Sequence, residues 1–176
     1  MKGGEPLEVV IDYADTDSAL QVSKHFDFKP GSHTIGVHYT VTNVAAEAAQ
    51  LTPFMQLKRD SSPAPVASDA GMGMQPFLGS ALPQPDQRFT KFDFEDMAED
   101  PFRADLTGGW IAMLQHYFVS AWVPDPYNTY RFRTRQTRSG DNIIGYTGPA
   151  MVITSGETTT ISNLSLIHIS EPTRHN

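Results

Sequence analysis

The side chains in this 176-residue sequence that could do chemistry are six histidines, a run of carboxylates and a row of arginines. A zinc site needs imidazoles, thiolates or carboxylates that converge on one point, and the sequence contains no cysteine. His33 and His38 fall in one strand-like run at opposite parity, so they should project from opposite faces and not share a metal. His116 sits in the segment that holds both tryptophans. A single imidazole with no nucleophile near it defines no mechanism, and a hydrogen-bonded histidine on a helix surface accounts for it. Asp93, Glu95, Asp96, Glu99 and Asp100 would attract calcium, but they lack the alternating oxygen ligands and the mid-loop glycine of an EF-hand. They read as a solvated acidic face. There is no Gly-x-Ser-x-Gly elbow and no phosphate-cradling glycine loop. The expectation is a chain with no catalytic residue, no cofactor and no metal. Arg131, Arg133 and Arg135 alternate with Tyr130, Phe132 and Thr134, which gives a strand with one cationic and one aromatic face. With His116 they form the candidate interaction surface. The arginine row could meet lipid headgroups or an acidic partner, or be an ordinary solvent-facing strand surface.

Composition limits what could position these groups. A net charge of -7 disfavours nonspecific nucleic-acid binding and a broad grip on anionic lipid. With 39% hydrophobic residues, the chain can bury one sizeable core, so one domain is expected. No window approaches the ~20 apolar residues of a membrane span, and Met1-Lys2-Gly3-Gly4 lacks a signal peptide's apolar stretch.

Most of the chain has the two-residue period of strands. Leu7 to Tyr13 is β-prone, and Leu20, Val22, Phe26 and Phe28 share one parity, interrupted by Lys24. Across a Pro30-Gly31 turn, Ile35, Val37, Tyr39 and Val41 share another, which predicts a hairpin with one buried face. Leu51 to Arg59 reads as a third strand of that sheet. Residues 61–74 are rich in proline, glycine and small side chains, and predict a mobile loop. Phe77 to Leu82, Arg88 to Phe94, Ala121 to Val123, Ile143 to Tyr146, Met151 to Ile153 and Thr158 to Ile161 are further strands. One segment differs. Trp110, Met113, Leu114, Tyr117, Phe118 and Ala121 follow i, i+3, i+4, i+7, i+8 and i+11, which predicts an amphipathic helix near Gly109 to Phe118. Thr107 would cap it and Pro124 would bar its continuation past Trp122 and Val123.

The run GGWIAMLQHYFVSAWVP in that segment resembles the signature of the periplasmic domain of the YidC membrane-protein insertase family. Gln75 to Ala81, Lys91 to Met97, Val41-Thr42-Asn43 and Gln56 to Asp60 fit the same family in order and spacing, so the resemblance spans roughly Leu20 to Ile161. It implies a mainly antiparallel β-supersandwich like that of galactose mutarotases. It also implies a non-catalytic module, over residues 1–163, that aids insertion and folding of inner-membrane proteins at the periplasmic face of the bacterial inner membrane. The implied partners are nascent inner-membrane proteins and the Sec translocon, SecF in particular. Trp110, Met113, Leu114, Tyr117, Phe118 and Trp122 would be structural. The family's membrane anchor and membrane helices are expected to lie outside this chain.

The rival reading is a carbohydrate-binding or mutarotase-like domain, in which Tyr127, Tyr130, Phe132 and Tyr146 stack on a sugar. A sandwich core needs the same aromatics, and no histidine and acid pair stands at a recognisable spacing. Finally, Leu164 to Arg174 resembles a translated sequencing adapter, so residues 164–176 read as a non-native tail. The alternation in Leu164 to Ile169 also permits a short strand.

Overall fold

Strands dominate because the apolar residues recur at every second position through most of the chain. The structure, a computed structural model, describes residues 4–13, 18–62, 77–84, 87–115 and 118–169. The expected mobile loop therefore lies, from residue 63 on, outside the described residues, as do His116 and Tyr117. Strands β1 (Leu7–Tyr13), β2 (Leu20–Phe28), β3 (Thr34–Asn43), β4 (Ala49–Leu51) and β5 (Phe54–Arg59) come first. Next come β6 (Gly79–Gln84), β7 (Gln87–Asp93), helix α1 (Phe94–Glu99) and β8 (Arg103–Thr107). Strands β9 (Ile111–Leu114), β10 (Phe118–Val123), β11 (Thr129–Gln136), β12 (Asn142–Thr147), β13 (Met151–Ile153) and β14 (Thr158–Ile169) follow. They form an eight-stranded sheet, β1-β2-β3-β14-β10-β9-β6-β7, a four-stranded sheet, β5-β12-β11-β8, and the pair β13-β4, all antiparallel.

The two larger sheets face each other across one core. The long sheet contributes Leu82, Ile111 and Met113, and the short sheet Met55, Tyr130, Phe132, Ile144 and Tyr146. Aromatic rings interlock there, with centroids of Tyr130 and Tyr146 5.2 Å apart and those of Phe132 and Tyr146 5.5 Å apart. Edge-on and tilted pairs of this kind add attraction beyond the area they bury.

The expected helix at Gly109 to Phe118 is not formed. Its residues build the hairpin β9–β10, with Leu114 opposite Val119 and Ile111 opposite Trp122. Two causes are visible. Gly108 and Gly109 hold φ of 65° and 97°, left-handed values that cannot start a right-handed helix. Ile111, Ala112 and Met113 are all buried, because β9 lies inside the sheet with both faces covered. A strand buried on both faces reads as a continuous apolar run, whose large members fit a helical period by accident. The only helix among the described residues is α1, which starts at the acidic cluster. Asp93 is its N-cap and exchanges hydrogen bonds with Asp96, whose N–H donates to Asp93 Oδ1 at 2.8 Å while Asp93 N–H donates to Asp96 Oδ2 at 3.2 Å. This reciprocal cap satisfies first-turn donors that otherwise have no partner.

The β2–β3 hairpin forms as expected, with Val22 opposite Val41 and Phe26 opposite Val37. Lys24, the polar intruder on that face, lays its Nζ 4.8 Å from the Phe26 ring and 5.3 Å from Tyr39, a cation–π arrangement. Leu51 to Arg59 does not extend this hairpin. Thr52 and Pro53 divide it into β4 and β5, and β5 joins the other sheet beside β12. Residues Leu164 to Ile169 continue β14, pairing with Val123 to Phe118.

Candidate interaction surface

Strand β11 alternates as its sequence requires: Tyr130, Phe132 and Thr134 are buried, while Arg131, Arg133 and Arg135 are exposed on the outer face of the short sheet. Antiparallel pairing places Asp105 of β8 opposite Arg131 and Arg103 opposite Arg133. Lys58 of β5 joins the row that contains Arg135, because both pair with Ile143. Arg131 donates through Nε to Asp105 Oδ1 at 2.9 Å and through Nη2 to Oδ2 at 3.3 Å. That hydrogen bond holds the Asp105 carboxyl below its usual range. Lys58 Nζ lies 2.9 Å from Asp141 Oδ2, and its hydrogen bond, followed by that of Ser139, lowers Asp141 in the same way. Arg103, Arg133 and Arg135 form no ion pair among the described residues. A cationic strip thus stands on a chain of net charge -7. Like charges directly opposite, as at Arg103 and Arg133, repel, and an anionic partner would relieve that repulsion.

The other sequence-derived residues are placed elsewhere. Trp110 is half-buried with its ring 6.2 Å from Phe89, Met113 is in the core, and Trp122 packs against the core from β10. Leu114 is half-buried, whereas Phe118 is 48% exposed and cannot anchor the core. Of the four aromatics considered for stacking on a sugar, Tyr130, Phe132 and Tyr146 are core residues, and only Tyr127 is exposed. Tyr146 donates its hydroxyl to Asn163 Oδ1 at 2.7 Å, and burial pushes its phenol well above the usual range. Beside it opens a cavity of about 170 Å³ lined by Met55, Asn128, Tyr130, Met151 and Asn163. The Nδ2 donor of Asn163 is buried without a partner among the described residues. Sequence periodicity gave no sign of this cavity, because its lining comes from five separate strands and loops.

The short motifs acquire structural roles. Asn43 is fully buried; its Nδ2 donates to the carbonyls of Glu47 at 2.8 Å and Ile153 at 2.9 Å, and its Oδ1 accepts from Ala45 N–H at 3.0 Å. Gly79 packs so closely under β7 that a Cβ would lie 2.2 Å from the Phe92 carbonyl oxygen. Ser80 donates to Met97 Sδ at 3.3 Å, which ties the strand before the acidic cluster to the helix within it.

The match that decides the family is a model of the YidC periplasmic domain, which covers residues 1–165. The chain belongs to the YidC periplasmic domain family. The membrane protein insertase YidC of Marinomonas sp. (strain MWYL1) is 38% identical over 161 residues, which is 92% of this chain and 29% of the relative. That of Pseudomonas putida (strain W619) is 36% identical over 149 residues, 85% of this chain and 26% of the relative. The chain therefore spans under a third of the length of these YidC proteins. Solved structures agree on the fold. A galactose mutarotase related enzyme from Lactobacillus acidophilus superposes with a TM-score of 0.54 at 7% identity, over 97% of this chain and 71% of the other. A galactose mutarotase-like protein from Lactobacillus casei ATCC 334 gives 0.54 at 8% identity, over 93% and 70%. At such identity the likeness concerns architecture alone. No helix among the described residues is long and apolar enough to cross a membrane.

Proposed function

We propose that this chain is a non-catalytic module of a membrane-protein insertase, standing at the periplasmic face of the inner membrane and aiding insertion and folding of inner-membrane proteins. The observation that carries this reading is the family match over residues 1–165. The partners we propose are nascent inner-membrane proteins and the Sec translocon, SecF in particular, with the strip Arg103, Arg133 and Arg135 as the docking surface. Guanidinium groups that form no ion pair of their own among the described residues suit carboxylates on a partner, to which they offer paired donors. Desolvated pairs of this kind set specificity and association rate more than raw affinity.

The test uses a full-length insertase carrying this domain. Arg103→Glu with Arg133→Glu should leave the domain folded, since both side chains are exposed, and should weaken a photo-crosslink from position 135 to SecF. Unchanged crosslinking and unchanged insertion in that variant would remove the arginine strip from the proposal. Loss of the domain's insertion role altogether, on deletion of residues 4–169 without any phenotype, would remove the module reading itself.

A further inference from the structure

Strands β1, β2 and β3 carry a second polar constellation, on the face of the long sheet that points away from the core. His25 of β2 stands directly opposite His38 of β3, and the rings stack with centroids 4.3 Å apart and planes 11° apart. One rung along, Glu8 of β1 stands directly opposite Asp27 of β2. Glu8 Oε1 lies 2.8 Å from His25 Nδ1, and Asp27 Oδ2 lies 3.2 Å from His38 Nδ1. Thr40 Oγ1 approaches His25 Nε2 at 3.4 Å. Glu8, His25 and His38 can each offer one ligand atom such that all three lie within 4.8 Å of one another.

We propose that Glu8, His25 and His38 bind a divalent transition-metal ion of the zinc class. Three arguments converge. The donor set of two imidazoles and one carboxylate suits Zn²⁺, Ni²⁺ or Cu²⁺ and not the all-oxygen preference of Ca²⁺ or Mg²⁺. Two carboxylates placed directly opposite each other repel, and a divalent cation between the strands neutralises both. Asp27 also supplies the outer partner that metal-bound histidines use. When His38 donates its Nδ1 proton to Asp27, Nε2 keeps a lone pair for the ion. Gly36 makes this possible, since a Cβ there would lie 3.1 Å from Asp27 Oδ2 and crowd the carboxylate that leans over it.

Binding requires the stacked rings to turn until their lone pairs converge, as imidazoles coordinate in the ring plane. All three side chains reach solvent: His25 is 19% exposed, His38 28% and Glu8 54%. With three protein ligands, the fourth position of a tetrahedral ion is left for water. This site is separate from the arginine strip, which lies on the other sheet.

The experiment is a calorimetric titration of the untagged 176-residue chain with zinc chloride, together with cobalt chloride as a spectroscopic probe of coordination. The expected result is saturable 1:1 binding, weakened about tenfold or more by Glu8→Gln, by His25→Gln and by His38→Gln, and about 10-fold to 100-fold by Asp27→Asn. Glu8→Gln is the safeguard against misfolding, since Glu8 is exposed on an edge strand. His33→Ala should leave binding unchanged. No binding at millimolar zinc would overturn the proposal. So would binding that survives Glu8→Gln and His25→Gln together, because the ion would then sit on other histidines.

Discussion

The two ends of the long sheet obey the same alternation and meet different fates. Toward β6 and β7 the inward-facing residues Leu82, Ile111, Met113 and Phe92 close on the four-stranded sheet. Toward β1 the equivalent residues Leu7, Val9, Ile11 and Tyr13 are exposed, and Phe28 beside them is 37% exposed. An eight-stranded sheet is wider than the four strands that cover it, so amphipathic pattern alone does not bury a strand. Burial also depends on where the opposing layer stops. A bare apolar sheet face of this extent is unusual for a soluble monomer.

That contrast can be pushed hardest at Phe132. It is fully buried where the sheets meet, and Phe132→Ala should cost about 3–5 kcal/mol. A denaturant melt of this variant that overlays the parent would show that the inter-sheet core has been misplaced. Substitutions at exposed apolar positions should do far less. Ile11→Ser on β1, at 56% exposure, should shift stability by no more than about 0.5 kcal/mol, and Phe118→Ala at the start of β10, at 48%, by about 1 kcal/mol or less. A large loss at Ile11 would mean that β1 is covered in solution, for example by a second copy, and the loss should then vary with protein concentration. The smallest expected effect is electrostatic. The hydrogen bond from Arg131 lowers Asp105, that from Lys58 lowers Asp141, and that from Thr154 lowers Glu157. Groups depressed in the folded state stabilise it above their unfolded values of 3.8, 3.8 and 4.5, and that contribution disappears as pH falls through the lower folded values. Acid melts should therefore show a mild loss beginning below about pH 4.5, reduced by Arg131→Gln and by high salt.

How much of this was legible in the sequence depended on whether one face of an element stayed wet. Strand β11 was readable residue by residue because its arginines face solvent and its aromatics do not. Strand β9 was not, because Ile111, Ala112 and Met113 are buried on alternating faces and leave no polar beat. The histidine cluster was hidden for another reason. Parity compares His33 with His38, but His33 lies before β3 begins, the partner of His38 is His25, and only the register of the hairpin brings those two together. A two-residue turn at Pro30-Gly31 would have set His25 opposite Gly36. Ser32 N–H does donate to the Lys29 carbonyl at 3.1 Å, closing that turn. The ladder, however, begins at Phe28 and Ile35, because His33 and Thr34 are extra residues on the β3 side. Ser32 Oγ, which accepts from Thr34 N–H at 3.0 Å, holds that irregularity.

The position of β14 has a consequence for how the molecule is made. Residues Thr158 to Leu166 bond to β3, and Leu164 to Ile169 bond to β10, so this strand is the seam between two blocks formed much earlier in the chain. A ribosome, or a translocase threading the chain from its amino end, delivers β1-β2-β3 and β6-β7-β9-β10 before the strand that joins them. Until the seam arrives, each block has an open edge able to pair with another chain. Assembly of the eight-stranded sheet must therefore wait for β14, and a break anywhere in Leu164 to Leu166, the three residues bonded on both sides, would leave two half-sheets side by side with nothing to stitch them.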